Sequence, residues 1–240
     1  MELTIPSGWH EVTLQQLRIL AEHSLLEMPR EASEVSLLCK LAGLTMLPSP
    51  GRDGETLNGM MKFRDAGGRE FALEGWQLAS FCKRLAWFYD DMPCDIACPV
   101  EVNPRLLATS FGDYFHADAL MCGFADTGDI NVMLEAMSDL GVGRKEITEV
   151  EAVMVQLWWR GFKQWLCDEY PLVFAGSRDD GDGSYSPLKA RQNIMLILND
   201  GHPQDNDAIE KANMHDVLSA LQHHIEIAKK EEEVMRRHKR

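Results

Sequence analysis

The sequence predicts a mainly α, multi-helix globular fold with a small β-hairpin insertion. Three observations carry that reading. Apolar residues recur at three- and four-residue spacing through most of the chain, as one buried helix face requires. Capping residues, prolines and glycines punctuate those runs. Only the stretch from Met60 to Leu73 alternates with a period of two. At 240 residues and 45% hydrophobic content, the chain can bury a substantial core as one large domain or two small ones.

Taken in order, Thr13 can cap a first helix, with Gln16 reaching back to it as a capping box. Leu14, Leu17, Ile19, Leu20 and Leu25 supply its apolar face. A second helix is expected from about Glu31 to Leu41, ended by the Pro- and Gly-rich stretch 48–54. Met61 and Phe63, then Phe71 and Leu73, alternate on either side of Asp65-Ala66-Gly67-Gly68, which predicts the hairpin at 60–73. From Trp76 to Tyr89 the helical spacing returns, and it stops before Pro93.

The segment 94–104, with prolines around and within it, predicts an irregular connection. It divides an N-terminal helical region, 1–92, from a C-terminal one, 104–240; one continuous domain is the alternative. Ser110 with Asp113 opens the next helix, and Asp126-Thr127-Gly128-Asp129 separates it from another at about 130–140, giving a helical hairpin. A long helix is expected from about Lys145 to Glu169, ending at Pro171. After a Gly/Asp-rich loop at 178–186, two more helices are expected near 188–198 and 214–237.

Charge narrows the function. With 24 Lys and Arg against 38 Asp and Glu, the net charge is −14, a surface that repels a phosphate backbone, so no nucleic acid is expected as a partner. No run of 18 apolar residues occurs and the N-terminal segment lacks a basic-then-apolar pattern, so neither export nor a membrane span is expected. Six scattered cysteines fit reduced thiols in a cytoplasm, bacterial or phage-infected, better than a disulfide framework.

No catalytic residue emerges. Cys94 and Cys98 could bind zinc with His116, but a second closely spaced ligand pair is missing, so no metal and no cofactor are expected. The acidic loop 179–184 suggests calcium, yet an EF-hand counted from Asp180 places Arg191 where the bidentate glutamate belongs. His215, Asp216 and Ser219 carry triad residue types without a nucleophile elbow. Gly141-Val142-Gly143 lacks the preceding strand and the third glycine of a phosphate-binding turn.

The concentrated features are aromatic and basic. Trp158, Phe162 and Trp165 share one face of the long helix while Trp159 points elsewhere. They read as core packing or as a partner-binding surface, with Trp159 its hot spot. The final helix ends in a charged tail whose Arg236 and Arg237 suit an acidic partner or another copy of the chain.

The order of Trp9-His10-Glu11-Val12-Thr13-Leu14, Gly161-Phe162-Lys163, Tyr170-Pro171-Leu172-Val173-Phe174 and the charged helix after Asn199-Asp200-Gly201 resembles helical proteins of phage and prophage virion-assembly modules, especially tail-assembly-chaperone-like proteins. The resemblance implies a non-enzymatic protein that shields or organises a virion component. The hairpin and the chain length depart from that pattern. The expected function is therefore assembly or adaptor work through protein contacts. A metal-dependent enzyme or regulator using Cys94, Cys98 and His116, or a small-molecule-binding helical module, is the alternative.

Overall fold

The computed structural model describes residues 3–26, 28–48, 60–94, 96–103, 105–174, 186–199 and 202–238. The acidic loop 179–184 and most of the 48–54 stretch lie outside them. Among the described residues there are ten α-helices and one three-stranded antiparallel sheet, and no helix is long and apolar enough to cross a membrane. The chain divides into two compact units, Met1–Pro99 and Val100–Arg240.

In the first unit, α1 (Leu14–Ser24) starts at the expected capping box: the Gln16 N–H donates to Thr13 Oγ1 and the Thr13 N–H to Gln16 Oε1. Leu17, Leu20 and Ala21 are fully buried, and α1 packs on α2 (Arg30–Leu41) through its Leu37 and Leu38. The hairpin is β2 (Met60–Arg64) and β3 (Glu70–Glu74), with Phe63 opposite Phe71. Its turn is fixed by Asp65 Oδ1 accepting from the Arg69 N–H and by Gly68 at φ +83°, a conformation that favours glycine. A further strand, β1 (Thr45–Met46), pairs with β2 and was not legible as a pattern in two residues.

The single helix expected over 76–89 is two: α3 (Gly75–Lys83) and α4 (Ala86–Asp90). The break at Arg84 and Leu85 is tightened by i to i+3 bonds from the Arg84 and Leu85 N–H groups to Phe81 and Cys82. It turns Trp87 so that its ring meets Trp9 edge-on at 5.1 Å and its indole N–H donates to the Pro6 carbonyl. Trp9 returns the contact, donating to the Asp91 carbonyl. Tertiary contacts of the N-terminal segment therefore outweigh the helical pattern.

In the second unit, Ser110 caps α5 (Phe111–Thr127) through the Asp113 N–H, and Gly128 ends it at φ +68°. Phe111, Tyr114, Phe115, Ala117, Met121 and Phe124 are all buried, so α5 is apolar on more than one side and forms the centre. Around it pack α6 (Ile130–Asp139), α7 (Glu149–Glu169), α8 (Pro187–Leu198), α9 (Asn206–Lys211) and α10 (Met214–His238). The α7 start falls at Thr148, which forms a capping box with Glu151, rather than near Lys145. Short α9 was not anticipated. A two-residue bridge, Phe111 N–H to the Ala212 carbonyl and Met214 N–H to the Thr109 carbonyl, ties the start of α5 to the start of α10.

Candidate functional site

The aromatic cluster of α7 lies inside the second unit. Trp158, Trp159 and Phe162 are buried, with Trp158 and Phe162 stacked at 5.8 Å and Tyr114 of α5 against both Trp159 and Phe162. The expectation of a partner-binding surface at Trp158, Trp159 and Phe162 is thus corrected: these rings fill the space between α7 and α5. Trp159, expected to point away from its neighbours, points at α5 because a polar anchor waits there. Its indole N–H donates to Asp118 Oδ1 at 2.9 Å.

Asp118 has no solvent exposure, and Lys163, one turn beyond Trp159, places its ammonium 2.9 Å and 3.2 Å from the two carboxylate oxygens. Residues i and i+4 share a helix face, so Trp159 and Lys163 reach the same carboxylate. The anchor was missed in the sequence. Its signal was Asp118 standing between Ala117 and Ala119 within an apolar run, a buried acid that needs a cation.

Trp165 is half-buried at the edge of this cluster. The Arg105 guanidinium sits 4.1 Å from its ring centroid and the His215 ring meets it at 5.9 Å. His215 Nε2 lies 2.7 Å from the Arg105 carbonyl, which can only accept, so the proton of the neutral ring is on Nε2. Nδ1 then accepts from the Tyr170 hydroxyl at 2.9 Å. His215 is consequently a structural tie between the 105 turn, the end of α7 and α10. Ser219 lies one turn on along α10, but both His215 ring nitrogens are engaged elsewhere, by the Arg105 carbonyl and the Tyr170 hydroxyl.

Unlike the rings, Arg236 and Arg237 are exposed. The first half of α10 is anchored by Met214, Val217, Leu218 and Leu221. From Ile227 to His238 every residue is exposed, including Ile227 at 42%, Val234 at 53% and Met235 at 59%. On this stretch Arg236 pairs along the helix with Glu232 at 2.6 Å.

A cleft of about 550 Å³ opens between α5, α8 and α9, lined by Asp113, His116, Arg191, Asp207, Glu210 and Lys211 among others. Arg191 is paired with Glu210 but its Nε is buried without a hydrogen-bond partner. His116 Nδ1 lies 2.7 Å from Asp139 Oδ2; burial raises the Asp139 carboxyl, and the His116 hydrogen bond opposes that rise. In the first unit, Met28, Met46 and Met61 line an apolar groove of about 710 Å³ beside α2.

Cys94 and Cys98 belong to the first unit and His116 to the second. Among the described residues, no three His, Cys, Asp or Glu side chains are gathered as metal ligands, and no disulfide forms.

No family model, curated protein or solved structure matches the chain.

Proposed function

We propose that the chain is a non-enzymatic assembly or adaptor protein acting through protein–protein contacts, in the manner of the tail-assembly-chaperone-like proteins of phage and prophage. The observation that carries this reading is the second half of α10, a helical segment that presents apolar and basic side chains with nothing packed on them among the described residues. A helix of about a dozen residues is marginal in water without a packed face. Residues 229–240 hold six Lys and Arg against three Glu on a chain of net charge −14, which suits an acidic protein surface.

Affinity capture of the tagged chain from cells that naturally make it, with mass spectrometry of what is retained, tests the reading. A virion component or other assembly partner should be retained by the full chain and lost from a form ending at Ala228. Equal retention by both forms, or retention of nothing by either, overturns it.

The cleft beside α5 favours a second reading, a small-molecule-binding helical module, because Arg191, Lys211 and three carboxylates line one concavity. A thermal-shift screen of anionic and zwitterionic metabolites checks it. A shift abolished by Arg191→Met supports the second reading, and a flat screen removes it.

A further inference from the structure

We infer that the outer edge of β3, with the exposed Trp76 beside it, takes an added strand from a partner protein that carries a Lys or Arg opposite Glu74. The hydrogen-bond phase of the sheet shows which groups are on offer. The Asp65 N–H donates to the Arg69 carbonyl and the Leu47 N–H to the Lys62 carbonyl. With the register of the two pairings, this makes Met61 and Phe63 bond to β3, and Lys62 and Arg64 to β1. In β3, Phe71 and Leu73 therefore bond to β2, and the N–H and C=O groups of Glu70 and Ala72 point away from it. Among the described residues neither Glu70 nor Ala72 makes a backbone hydrogen bond on that side. An open edge of this kind is where a further strand pairs.

Charge names the partner. Glu70, Ala72 and Glu74 alternate with Phe71 and Leu73 and so share the outer face of the sheet. Glu70 is already paired, with Arg64 at 2.6 Å. The Glu74 carboxylate accepts from the Trp76 indole N–H, and among the described residues no cation is paired with it. Trp76 is 68% exposed, and its N–H is held, so the ring is oriented beside the edge with its faces open to a ligand. A basic side chain set opposite Glu74 is drawn by the carboxylate and by the indole face together. An oriented, exposed Trp is also the residue type that anchors protein interfaces.

A second copy does not supply that cation. Pairing β3 with β3 about a two-fold sets Gly68, Glu70, Ala72 or Glu74 itself opposite Glu74, and none of these is basic. The net charge of −14 favours a basic partner as well. Only Glu70 and Ala72 offer backbone groups, so an isolated strand binds weakly.

Two heptapeptide amides, one alternating Lys with Val and one alternating Glu with Val, test the edge when titrated to millimolar concentration into the intact, isotopically labelled chain. The Lys peptide should move the amide resonances of Glu70 and Ala72 and bind roughly tenfold tighter than the Glu peptide. Ala72→Pro removes the outward N–H, leaves the bonds of Phe71 and Leu73 to β2 in place and keeps the net charge, so it should abolish those shifts. Trp76→Ala, at an exposed position, should weaken the Lys peptide by roughly threefold or more. Far-UV circular dichroism checks both variants, and Trp76→Ala carries the test if Ala72→Pro does not fold. No binding of the Lys peptide, shifts that leave Glu70 and Ala72 untouched, equal affinity for the Glu peptide, or affinity unchanged in the folded variants overturns the proposal. Resonances of Glu70 and Ala72 that move with the concentration of the chain alone would make a second copy the occupant and overturn it too. The edge is independent of α10: loss of capture on ending the chain at Ala228 bears on the adaptor reading alone.

Discussion

Replacing Lys163 with Met removes one ammonium from a carboxylate that has no contact with solvent. The methionine keeps much of the stem packing on α7, so the change isolates the charge. Removing one partner of a fully buried pair costs about 3–5 kcal/mol, because the remaining charge is uncompensated. Here the Lys163 side chain is 27% exposed, so water can reach part of the vacated space and the expected cost falls to about 2–3 kcal/mol. Asp118→Asn should cost less, about 1 kcal/mol, since Trp159 keeps its acceptor and Lys163 can turn to solvent. Together the two changes should cost less than their sum, the mark of direct coupling. Native-state hydrogen exchange read on α5 and α7 peptides isolates the second unit from the first. There Lys163→Met should speed exchange of the slowest amides by roughly 30- to 140-fold, at about 1.4 kcal/mol per decade. Acceleration of less than about threefold, or strict additivity in the double variant, would refute the assignment of Lys163 as the counter-charge of Asp118.

Burial, with a smaller contribution from Lys40, lowers the pKa of His23, whose Nε2 is 2.6 Å from Ser33 Oγ and whose Nδ1 is buried without a partner. The unfolded chain takes up this proton below about pH 6.5 while the folded one resists it. The first unit should therefore keep this stability above that pH and lose it as pH falls, and His23→Gln should flatten the slope seen in exchange of α1 and α2; an unchanged slope would show that His23 is not its source. Burial first, then Glu34 and Cys39, pushes the Cys82 thiol up to about 11. Cys82 should resist alkylation at pH 8 in the native chain and react in urea, as peptide mass spectrometry reads directly; rapid native labelling would contradict its placement. Gly128→Ala meets open space but places a side chain at φ +68°. A loss of about 1 kcal/mol at the α5–α6 turn is expected by thermal melting, and no loss would argue against the left-handed cap.

Local chemistry made much of the fold legible. Thr13 with Gln16, Ser110 with Asp113, and Asp129 cap the helices at the positions that their side chains announce. The alternation of Met61, Phe63, Phe71 and Leu73 placed the hairpin because one sheet face is buried and the other is not. What escaped was tertiary. The break at Arg84 and Leu85 depends on Trp87 meeting Trp9 some eighty residues away in sequence, and β1 is too short to show a period. The direction of Trp159 depends on Asp118, forty-one residues earlier. Aromatic spacing alone could not separate an interior seam from an offered surface, whereas the run of charges beyond Ile227 did signal a solvated helix end.

The proposed function holds that the end of α10 stands uncovered until a partner protein covers it. Hydrogen exchange of a peptide spanning residues 226–238, followed in the isolated chain and in the chain bound to the partner it retains from cells, tests it most directly. Fast exchange in the isolated chain, slowing in the complex while the 214–221 segment stays protected in both, is the expected result. Protection of 226–238 that is already strong in the isolated chain would contradict it, as would equally fast exchange in the complex.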